Sequence, residues 1–507
     1  MAKNPIISSI HDYVILAIGA YDWKEGQFFT VKGKPKSRAY VLSATTDQAY
    51  LLIDTASNDF EINDELVEDE QFVSAKTSME FFGHIIDIDG KCIDDPSVNF
   101  KNFINQDSKV FSIAEDMMHR TRLNEQLATG ILSIDIFNPI GLGQRELIIG
   151  DRQTGKTHIV LNAIINQKRT KVKCIYVSIG QKRQNLSYVY KTLKDHGALE
   201  NTIIIEAPVT SPFQQFLAPY VAMAHAENLC YEHDVLIVFD DLSKHASIYR
   251  EIALLTNKPI SKEAYPADIF YAHSQLLERS GKFVGKKSIT ALPILRTIDN
   301  DITSLIASNI ISITDGQIVT NAGLFAEGKI PAVDVDLSVS RTGSSVQSKT
   351  MGRIASSLSK TYRAYRKQTK LSKINFDLNK ETTELLKKGE QIQNMLIQKG
   401  FSYQATDAIL LSAKIIEWGL LNNLSRPDLA IKFIDALVSV DARAKKIFTS
   451  LINNKPIDDA IARDYIANAV NQYFKSINVN EVIETKLDFV SFNANELKTI
   501  ISNIKEI

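Results

Sequence analysis

A glycine-rich stretch at residues 145–157 carries the residue types that bind polyphosphate. An apolar run at 147–149 predicts a buried strand, Gly-x-x-x-x-Gly-Lys-Thr follows, and residues 158–166 read as a helix. In such a loop the backbone N–H groups and the helix N-terminus face phosphate oxygens. We therefore predict a nucleotide site in which Lys156 contacts the outer phosphates and the Thr157 hydroxyl ligates Mg²⁺. Its residues are Gly150, Asp151, Arg152, Gln153, Thr154, Gly155, Lys156 and Thr157.

A second acidic element is needed to hold Mg²⁺ through water. The apolar run at 235–239 ends in Asp240 and Asp241, at the predicted carboxyl end of a strand. We predict that Asp240 belongs to the metal shell. Asp241 fits better as the cap of the helix that follows, because a short acceptor side chain before a helix satisfies its first N–H groups.

Hydrolysis also requires a group that positions the attacking water. The candidate position, at the end of the strand predicted over 173–178, holds Gln181, and neither Asp nor Glu occurs between residues 174 and 193. A neutral amide can hold a water that ligates Mg²⁺ but cannot accept its proton. The pattern predicts nucleotide binding with slow or no hydrolysis.

Arg341 follows a short strand-like segment and precedes a Thr-Gly turn. One interpretation is a surface ion pair. The other is a cation that enters a neighbouring subunit's site and stabilises the charge of phosphoryl transfer.

Composition excludes several classes of protein. The 507 residues include 58 Lys and Arg against 59 Asp and Glu, so no global charge favours nucleic acid. No run of about 18 consecutive apolar residues occurs, which argues against a membrane span. The three cysteines are widely separated and fit a reducing compartment. We expect a chain that is soluble, or peripheral to a membrane through its partners.

The order of strand-like and helix-like segments along the sequence predicts three domains. Residues 1–82 contain short strand-like runs typical of a small antiparallel β-barrel or sandwich. Residues 83–350 alternate apolar strands with helices, predicting an α/β P-loop (RecA-like) nucleotide-binding domain with strands at 173–178, 202–206, 234–239, 288–294 and 310–313. Residues 351–507 predict an α-helical domain. Its first helix is basic, for which a charged face at a subunit boundary is favoured over RNA or membrane contact.

Seven stretches resemble the alpha subunits in the rotary head of F-type ATP synthases, and they cover the central domain densely and in order. The catalytic beta subunit of that family has Glu where Gln181 stands, so the chain is similar to the non-catalytic member of the pair. The stretches are 139–157, 176–183, 240–244, 263–266, 273–279, 311–317 and 337–341.

The resemblance implies a hexamer in which three such chains alternate with three catalytic beta-type subunits around a central gamma-like shaft. ATP or ADP with Mg²⁺ would be bound but not turned over by the P-loop, Gln181 and Asp240, with Pro331 and Gln398 near the base. Arg341 falls on the family's arginine finger. The implied complex couples ATP synthesis or hydrolysis to rotation and proton transport, and lies at the cytoplasmic face of a membrane through partner subunits.

Three departures from the family pattern carry expectations of their own. Strand-like sequence begins near Ile6, where the family has a helix that docks on the stator. Ile330 replaces an Arg, and Gly400 replaces a Gln of the base pocket, so we expect weaker nucleotide binding. These departures favour an alternative, an alpha-like structural subunit of a similar motor that drives another mechanical process. A homohexameric RNA translocase or secretion ATPase is disfavoured, because it would need a catalytic Glu at 181.

Overall fold

The computed structural model describes residues 4–55, 59–69, 72–372, 380–401, 406–421 and 424–504. The chain forms two compact units. The first unit comprises the residues up to 129 together with 140–328 and 332–342. The second comprises 130–139, 329–331 and the residues from 343 onward.

The regular elements are numbered in chain order. The strands are β1 (Ile6–His11), β2 (Val14–Ile18), β3 (Phe28–Val31), β4 (Lys34–Ala44), β5 (Gln48–Ile53), β6 (Leu66–Glu68), β7 (Ser74–Ser78), β8 (Ile85–Ile86), β9 (Phe103–Lys109), β10 (Gln126–Leu127), β11 (Ile140–Gly141), β12 (Glu146–Gly150), β13 (Lys173–Ile179), β14 (Thr202–Ala207), β15 (Val235–Asp240), β16 (Gly281–Lys282), β17 (Ser288–Arg296), β18 (Gly316–Thr320) and β19 (Val339–Ser340). The helices are α1 (Leu132–Phe137), α2 (Lys156–Asn166), α3 (Arg183–Asp195), α4 (Pro212–Leu229), α5 (Leu242–Leu255), α6 (Ile269–Leu277), α7 (Leu305–Ile313), α8 (Ala322–Ala326), α9 (Lys349–Ser372), α10 (Lys380–Leu396), α11 (Thr406–Glu417), α12 (Pro427–Val440), α13 (Ala442–Ile452), α14 (Asp459–Ser476) and α15 (Ala494–Ser502).

The first unit begins with a six-stranded antiparallel sheet in the order β1-β2-β5-β4-β3-β6. Its β-branched and aromatic residues suit a pleated surface with one buried face. An antiparallel bridge joins Ile6, at the start of β1, to Glu65, directly before β6. The first and last strands of the order therefore meet, which is consistent with the predicted barrel.

The nucleotide-binding part of the first unit is built on a nine-stranded sheet. The order is β19-β18-β12-β17-β15-β13-β14-β8, with β16 paired to β17, and all pairs except those of β16 and β19 are parallel. Strands β12, β14 and β15 are buried along their whole length, because helices cover both faces of a parallel sheet. The predicted α/β fold is confirmed. Ligands of such sheets lie at the carboxyl ends of the strands, where β12 and β15 finish.

One predicted strand is wrong. Residues 310–313 belong to helix α7, and the strand that follows is β18. In α7 the buried positions include Ile306, Ala307 and Ile310, which share one helical face. A short apolar run does not by itself distinguish a buried strand from a buried helix.

The second unit is helical, as predicted for the C-terminal part of the chain. Its core contains Phe433, Leu437 and Phe474, which are fully buried between α12 and α14. The rings of Phe433 and Tyr473 stack at 4.5 Å. None of the helices in the described ranges is long and apolar enough to cross a membrane.

Candidate nucleotide-binding site

The glycine loop connects β12 to α2 as the sequence predicts. Strand β12 ends at Gly150 and α2 begins at Lys156. A Cβ on Gly150 would lie 2.1 Å from the Thr320 hydroxyl, so only glycine allows β18 to approach this closely. Gly155 has a φ of 89°, in the left-handed region that favours glycine. Both motif glycines are therefore required by the geometry of the loop.

Two of the predicted loop residues hold the loop in shape with their side chains. The Asp151 carboxylate accepts hydrogen bonds from the Thr297 hydroxyl (2.6 Å) and the Asn300 N–H (2.9 Å). The Thr154 hydroxyl donates to the Asp151 carbonyl (2.8 Å) and is 2.6 Å from the Thr320 hydroxyl. These side chains tie the loop to the ends of β17 and β18, which leaves backbone N–H groups as their contribution to a ligand.

Lys156 is buried at the start of α2. Its ammonium group donates to the carbonyl of Gly150 (2.8 Å) and to that of Asp151. Burial, together with the neighbouring Arg296 charge, lowers the pKa of Lys156 to about 8, although Asp240 and Asp241 oppose the shift. A buried cation in this position attracts polyphosphate. Burial removes water from the ammonium group, and a nearby anion stabilises the positive charge in its place.

Asp240 is the centre of a hydrogen-bond network at the end of β15. Its carboxylate accepts from the Thr157 hydroxyl (3.0 Å), the Tyr176 phenol (2.6 Å) and the Gln181 amide (2.9 Å). The predicted metal-ligating pair, Thr157 and Asp240, is thus in direct contact. A hydroxyl and a carboxylate oxygen are ligands that suit Mg²⁺, so the residues present fit this ion.

Asp241, which is buried, and Arg296, which is partly exposed, form an ion pair beside this network. Asp241 caps α5 by accepting from the Lys244 N–H (3.0 Å), and it pairs with Arg296 at 2.7 Å. Burial raises the pKa of Asp241, and the Arg296 charge opposes that rise. The Arg296 guanidinium also lies 3.5 Å from the Gln181 side-chain oxygen.

A cavity of about 580 Å³ opens over these groups. Such a volume is within the usual range of small-molecule sites. Five of the eight predicted loop residues line this space together with Gln181 and Asp240, whereas Gly150, Asp151 and Thr154 do not; the five are Arg152, Gln153, Gly155, Lys156 and Thr157. Asp240 is the sole carboxylate among the described residues of the lining, and three side chains already occupy it.

Sequence reasoning missed Tyr176 and Arg296. Tyr176 lies within predicted strand β13 and resembles any buried aromatic residue until the neighbouring strand places Asp240 beside it. Arg296 closes the long apolar run of β17. A charged residue directly after such a run, at the edge where β12 and β15 also end, was the available signal.

Arg341 lies at the other end of the same strands. It follows β19, which pairs with the start of β18 at Gly316, whereas Gly150 pairs with the end of β18 at Thr320. The two points are four residue steps apart along β18, a distance of roughly 13 Å. Arg341 is exposed, and its guanidinium is 3.5 Å from the Ile311 carbonyl. Within the described ranges it forms no ion pair.

Beneath Arg341 lies a buried acid, Glu146. One of its oxygens accepts from the Gln144 amide (2.6 Å), and the other has no hydrogen-bond partner. Gln144 in turn accepts from the Thr342 hydroxyl at 2.7 Å. Burial and Asp315 raise the pKa of Glu146 well above its ordinary value, with Gln144 and Arg341 opposing.

Pro331 and Gln398 belong to the second unit, whereas the P-loop residues belong to the first. The Gln398 N–H donates to the Ile330 carbonyl at 2.8 Å, so Gln398 contacts the residue directly before Pro331. The Gln398 side chain donates to the Gly130 carbonyl (2.9 Å) and accepts from the Leu132 N–H (2.8 Å). Its amide therefore holds the segment that leads into α1.

Comparison with known proteins gives concordant matches along the chain. Residues 130–340 match the model of the ATP synthase alpha/beta family, nucleotide-binding domain, and residues 347–472 match that of the ATP synthase alpha/beta chain, C terminal domain. ATP synthase subunit alpha 2 of Mycoplasmopsis pulmonis is 48% identical over 423 residues, 82% of each chain. Subunit alpha 1 of the same organism is 40% identical over 484 residues, 93% of this chain and 89% of the relative. The alpha subunit of Mycoplasmopsis agalactiae is 42% identical over 418 residues, 80% and 78%.

Proposed function

Because the chain belongs to the ATP synthase alpha/beta family as an alpha subunit of this rotary ATPase, we propose that it is a nucleotide-binding subunit without turnover of its own. It alternates with catalytic beta-type subunits in a hexamer around a gamma-like shaft. Rotation couples ATP synthesis or hydrolysis to proton transport through a membrane sector. The chain lies at the cytoplasmic face of the membrane by way of these partners.

The observation that carries the proposal is the contact between Gln181 and Asp240. The Gln181 amide donates to the Asp240 carboxylate at 2.9 Å, in the position where a hydrolytic site needs a group that activates water. An amide cannot take a proton. Since Asp240 is the lone carboxylate in the described lining of the cavity and is held by three donors, no other acid stands ready for this role.

The remaining residues of the cavity suit retention of ATP or ADP with Mg²⁺. The N–H groups of residues 150–157 and the α2 N-terminus bind phosphate oxygens, and Lys156 adds a positive charge. Thr157 and Asp240 hold the ion, which neutralises phosphate charge when bound. The family resemblance assigns Pro331 and Gln398 to the base and predicts weaker retention because Ile330 and Gly400 replace polar residues; both assignments stay predictions.

Arg341 acts outside its own subunit in this proposal. The side chain is exposed and stands roughly 13 Å along β18 from its own P-loop. An arginine presented in this way can enter a beta-type neighbour and stabilise charge during phosphoryl transfer.

We also propose that the chain is divided into three domains with the boundaries expected from the sequence. They are a β-barrel over 1–82, the nucleotide-binding domain over 83–350 and the helical domain over 351–507. Closure of the barrel is supported by the bridge between Ile6 and Glu65.

Turnover by the isolated chain tests the proposal. The purified chain, free of beta-type subunits, should bind Mg-nucleotide and release no phosphate above a protein-free blank. The hexamer reconstituted with its beta-type partner serves as the positive control. Phosphate release by the isolated chain that scales with its concentration would contradict the non-catalytic assignment.

A second candidate is an alpha-like structural subunit of a similar motor that drives another mechanical process. The chain is 48% identical to subunit alpha 2 of Mycoplasmopsis pulmonis and 40% identical to alpha 1 of that organism, so it resembles one of two alpha types more closely. Purification of the native complex separates the candidates. Membrane-sector and stator subunits support proton coupling, whereas other mechanical partners support the alternative.

A further inference from the structure

Three side chains of different chemistry meet beside the edge strand β8, away from the nucleotide cavity. The Nδ1 atom of His84 lies 3.2 Å from an oxygen of Asp94 and 3.6 Å from the sulfur of Cys92. The Cys92 sulfur lies 3.3 Å from the other Asp94 oxygen. An imidazole, a thiol and a carboxylate are the side chains that bind Zn²⁺ in proteins.

The separations match the edges of a tetrahedron around a metal ion. With usual Zn–N, Zn–O and Zn–S bond lengths, ligand atoms at tetrahedral angles lie about 3.3–3.6 Å apart. The distances from His84 to Asp94 and to Cys92, 3.2 and 3.6 Å, are close to the N–O and N–S edges. The 3.3 Å contact of Cys92 is made by the second Asp94 oxygen, so one ligand atom from each residue is required to approach within the 4.8 Å that already encloses all three. An ion could therefore enter with little movement of the side chains.

Backbone contacts hold the three residues in this arrangement. The Ile85 N–H donates to Asp94 at 2.7 Å, and a bridge pairs Ile86 with Cys92. The turn between Ile86 and Cys92 is fixed by the Asp87 carboxylate. This carboxylate accepts from the N–H groups of Asp89 and Lys91, both at 2.9 Å. Ligands supported in this way lose little freedom when an ion binds.

The cluster is also open to solvent. The side chain of His84 is 30% exposed and that of Asp94 is 19% exposed, so an ion has a path of entry. Asp94 additionally lines a second cavity with Arg183, Tyr190 and Glu206. Three protein ligands leave a fourth position that water can fill.

We propose that His84, Cys92 and Asp94 bind one Zn²⁺ ion, with a water as the fourth ligand. Binding replaces the thiol proton with a sulfur–zinc bond and releases that proton to solvent, while the imidazole enters neutral through Nδ1. The ion joins the start of β8 to the loop at 92–94. It stabilises this edge of the sheet and plays no part in phosphoryl transfer.

Cobalt(II), a spectroscopic substitute for zinc, tests the site in the full-length chain stripped of metal. Tetrahedral Co²⁺ with a thiolate-to-metal charge-transfer band is expected, displaced by one equivalent of Zn²⁺. Cys92→Ser should abolish that band and weaken Zn²⁺ binding by at least about tenfold, measured against a chromophoric chelator. Asp47→Asn is the matched control, because Asp47 is an exposed aspartate in the turn between β4 and β5, on a different sheet from the cluster. Octahedral Co²⁺ without the band, or equal Zn²⁺ affinity for wild type and Cys92→Ser, would overturn the proposal and leave a hydrogen-bonded cluster.

Thiol alkylation provides an independent readout that does not depend on folding of a variant. Cys92 is partly exposed, whereas Cys174 and Cys230 are buried. In wild-type protein, Zn²⁺ should slow alkylation of Cys92 at least about tenfold, since the bound thiolate is blocked, and Mg²⁺ should not. An alkylation rate unchanged by Zn²⁺ would contradict the site.

Discussion

The two ends of strand β12 make opposite use of charged side chains. At its carboxyl end, Lys156 and Asp240 are buried and satisfied by groups of their own chain. At its amino end, Arg341 is exposed and stands 3.5 Å from a single carbonyl oxygen. The charged groups at the ligand-binding end have hydrogen-bond partners within the chain, whereas the other end presents a cation to solvent.

This difference in burial is the basis for the proposed division of roles between subunits. A buried network with satisfied donors and acceptors is rigid and suits retention of a ligand. An exposed guanidinium beside a buried acid keeps its charge available for an anion supplied from outside. Under the proposed function, the chain binds nucleotide at one end and contributes to the reaction of a neighbouring subunit at the other.

Removal of the outward cation should give the largest effect. In the reconstituted hexamer, Arg341→Ala is expected to lower ATP turnover by about 10³-fold or more, because transition-state charge loses its counter-ion. Assembly and nucleotide binding by this chain should persist. Arg122→Ala, at another exposed arginine of the first unit, is the control. Near-normal phosphate release by the Arg341 variant would exclude the finger role.

At the opposite end, Lys156→Gln should weaken nucleotide binding by about 10- to 100-fold, the usual range for loss of a charged hydrogen-bond donor. Equilibrium binding of a fluorescent nucleotide to the isolated chain measures the change. Lys191→Gln, on the exposed surface of α3, should bind like wild type. If both variants bind equally well, the cavity is not the nucleotide site.

The pH dependence of binding reports on the same lysine. The pKa of Lys156 is lowered to about 8, and a bound polyphosphate favours its charged form. Affinity is therefore expected to be nearly full below about pH 7 and to fall about tenfold between about pH 7 and about pH 9, as the free protein loses the proton. In Lys156→Gln the profile should be flat over this range. A wild-type profile without a decline would refute the shifted pKa.

The smallest effect concerns the buried acid beneath Arg341. The raised pKa of Glu146 means that the folded chain keeps a proton that the unfolded chain releases above about pH 4.3. Stability from this group is complete below that pH and declines as pH rises. The neutral isostere Glu146→Gln should match the wild-type free energy of unfolding at pH 4–5 and exceed it increasingly as the pH rises to 8, as measured by urea unfolding. Glu200→Gln, at an exposed site, should show no such divergence.

Local patterns in the sequence predicted the elements that hold the site, because they are encoded in consecutive residues. The glycine loop, the apolar run before Asp240 and the capping role of Asp241 all lie where predicted. The partners of Asp240 could not be read in this way. Tyr176 and Arg296 come from strands distant in sequence, and only the strand order of the sheet brings them to Asp240 and Asp241.

The strand prediction at 310–313 failed for the same reason. An apolar run records burial but not the partner against which it is buried, and α7 packs a helical face there. The role of Arg341 is a property of an assembly. Its position after β19 follows from the chain, but the group that it would meet belongs to another subunit.

The pairing of β12 with β18 has a further consequence for how this chain can change over evolutionary time. Five consecutive residue pairs, from Glu146 with Gly316 to Gly150 with Thr320, fix the distance between the phosphate-binding loop and Arg341. Loops can lengthen without disturbing either end. A one-residue insertion within β12 or β18 would shift their pairing register and turn the side chains of that strand to the opposite face of the sheet. Evolutionary change within these two strands is therefore restricted to substitutions, without insertions or deletions.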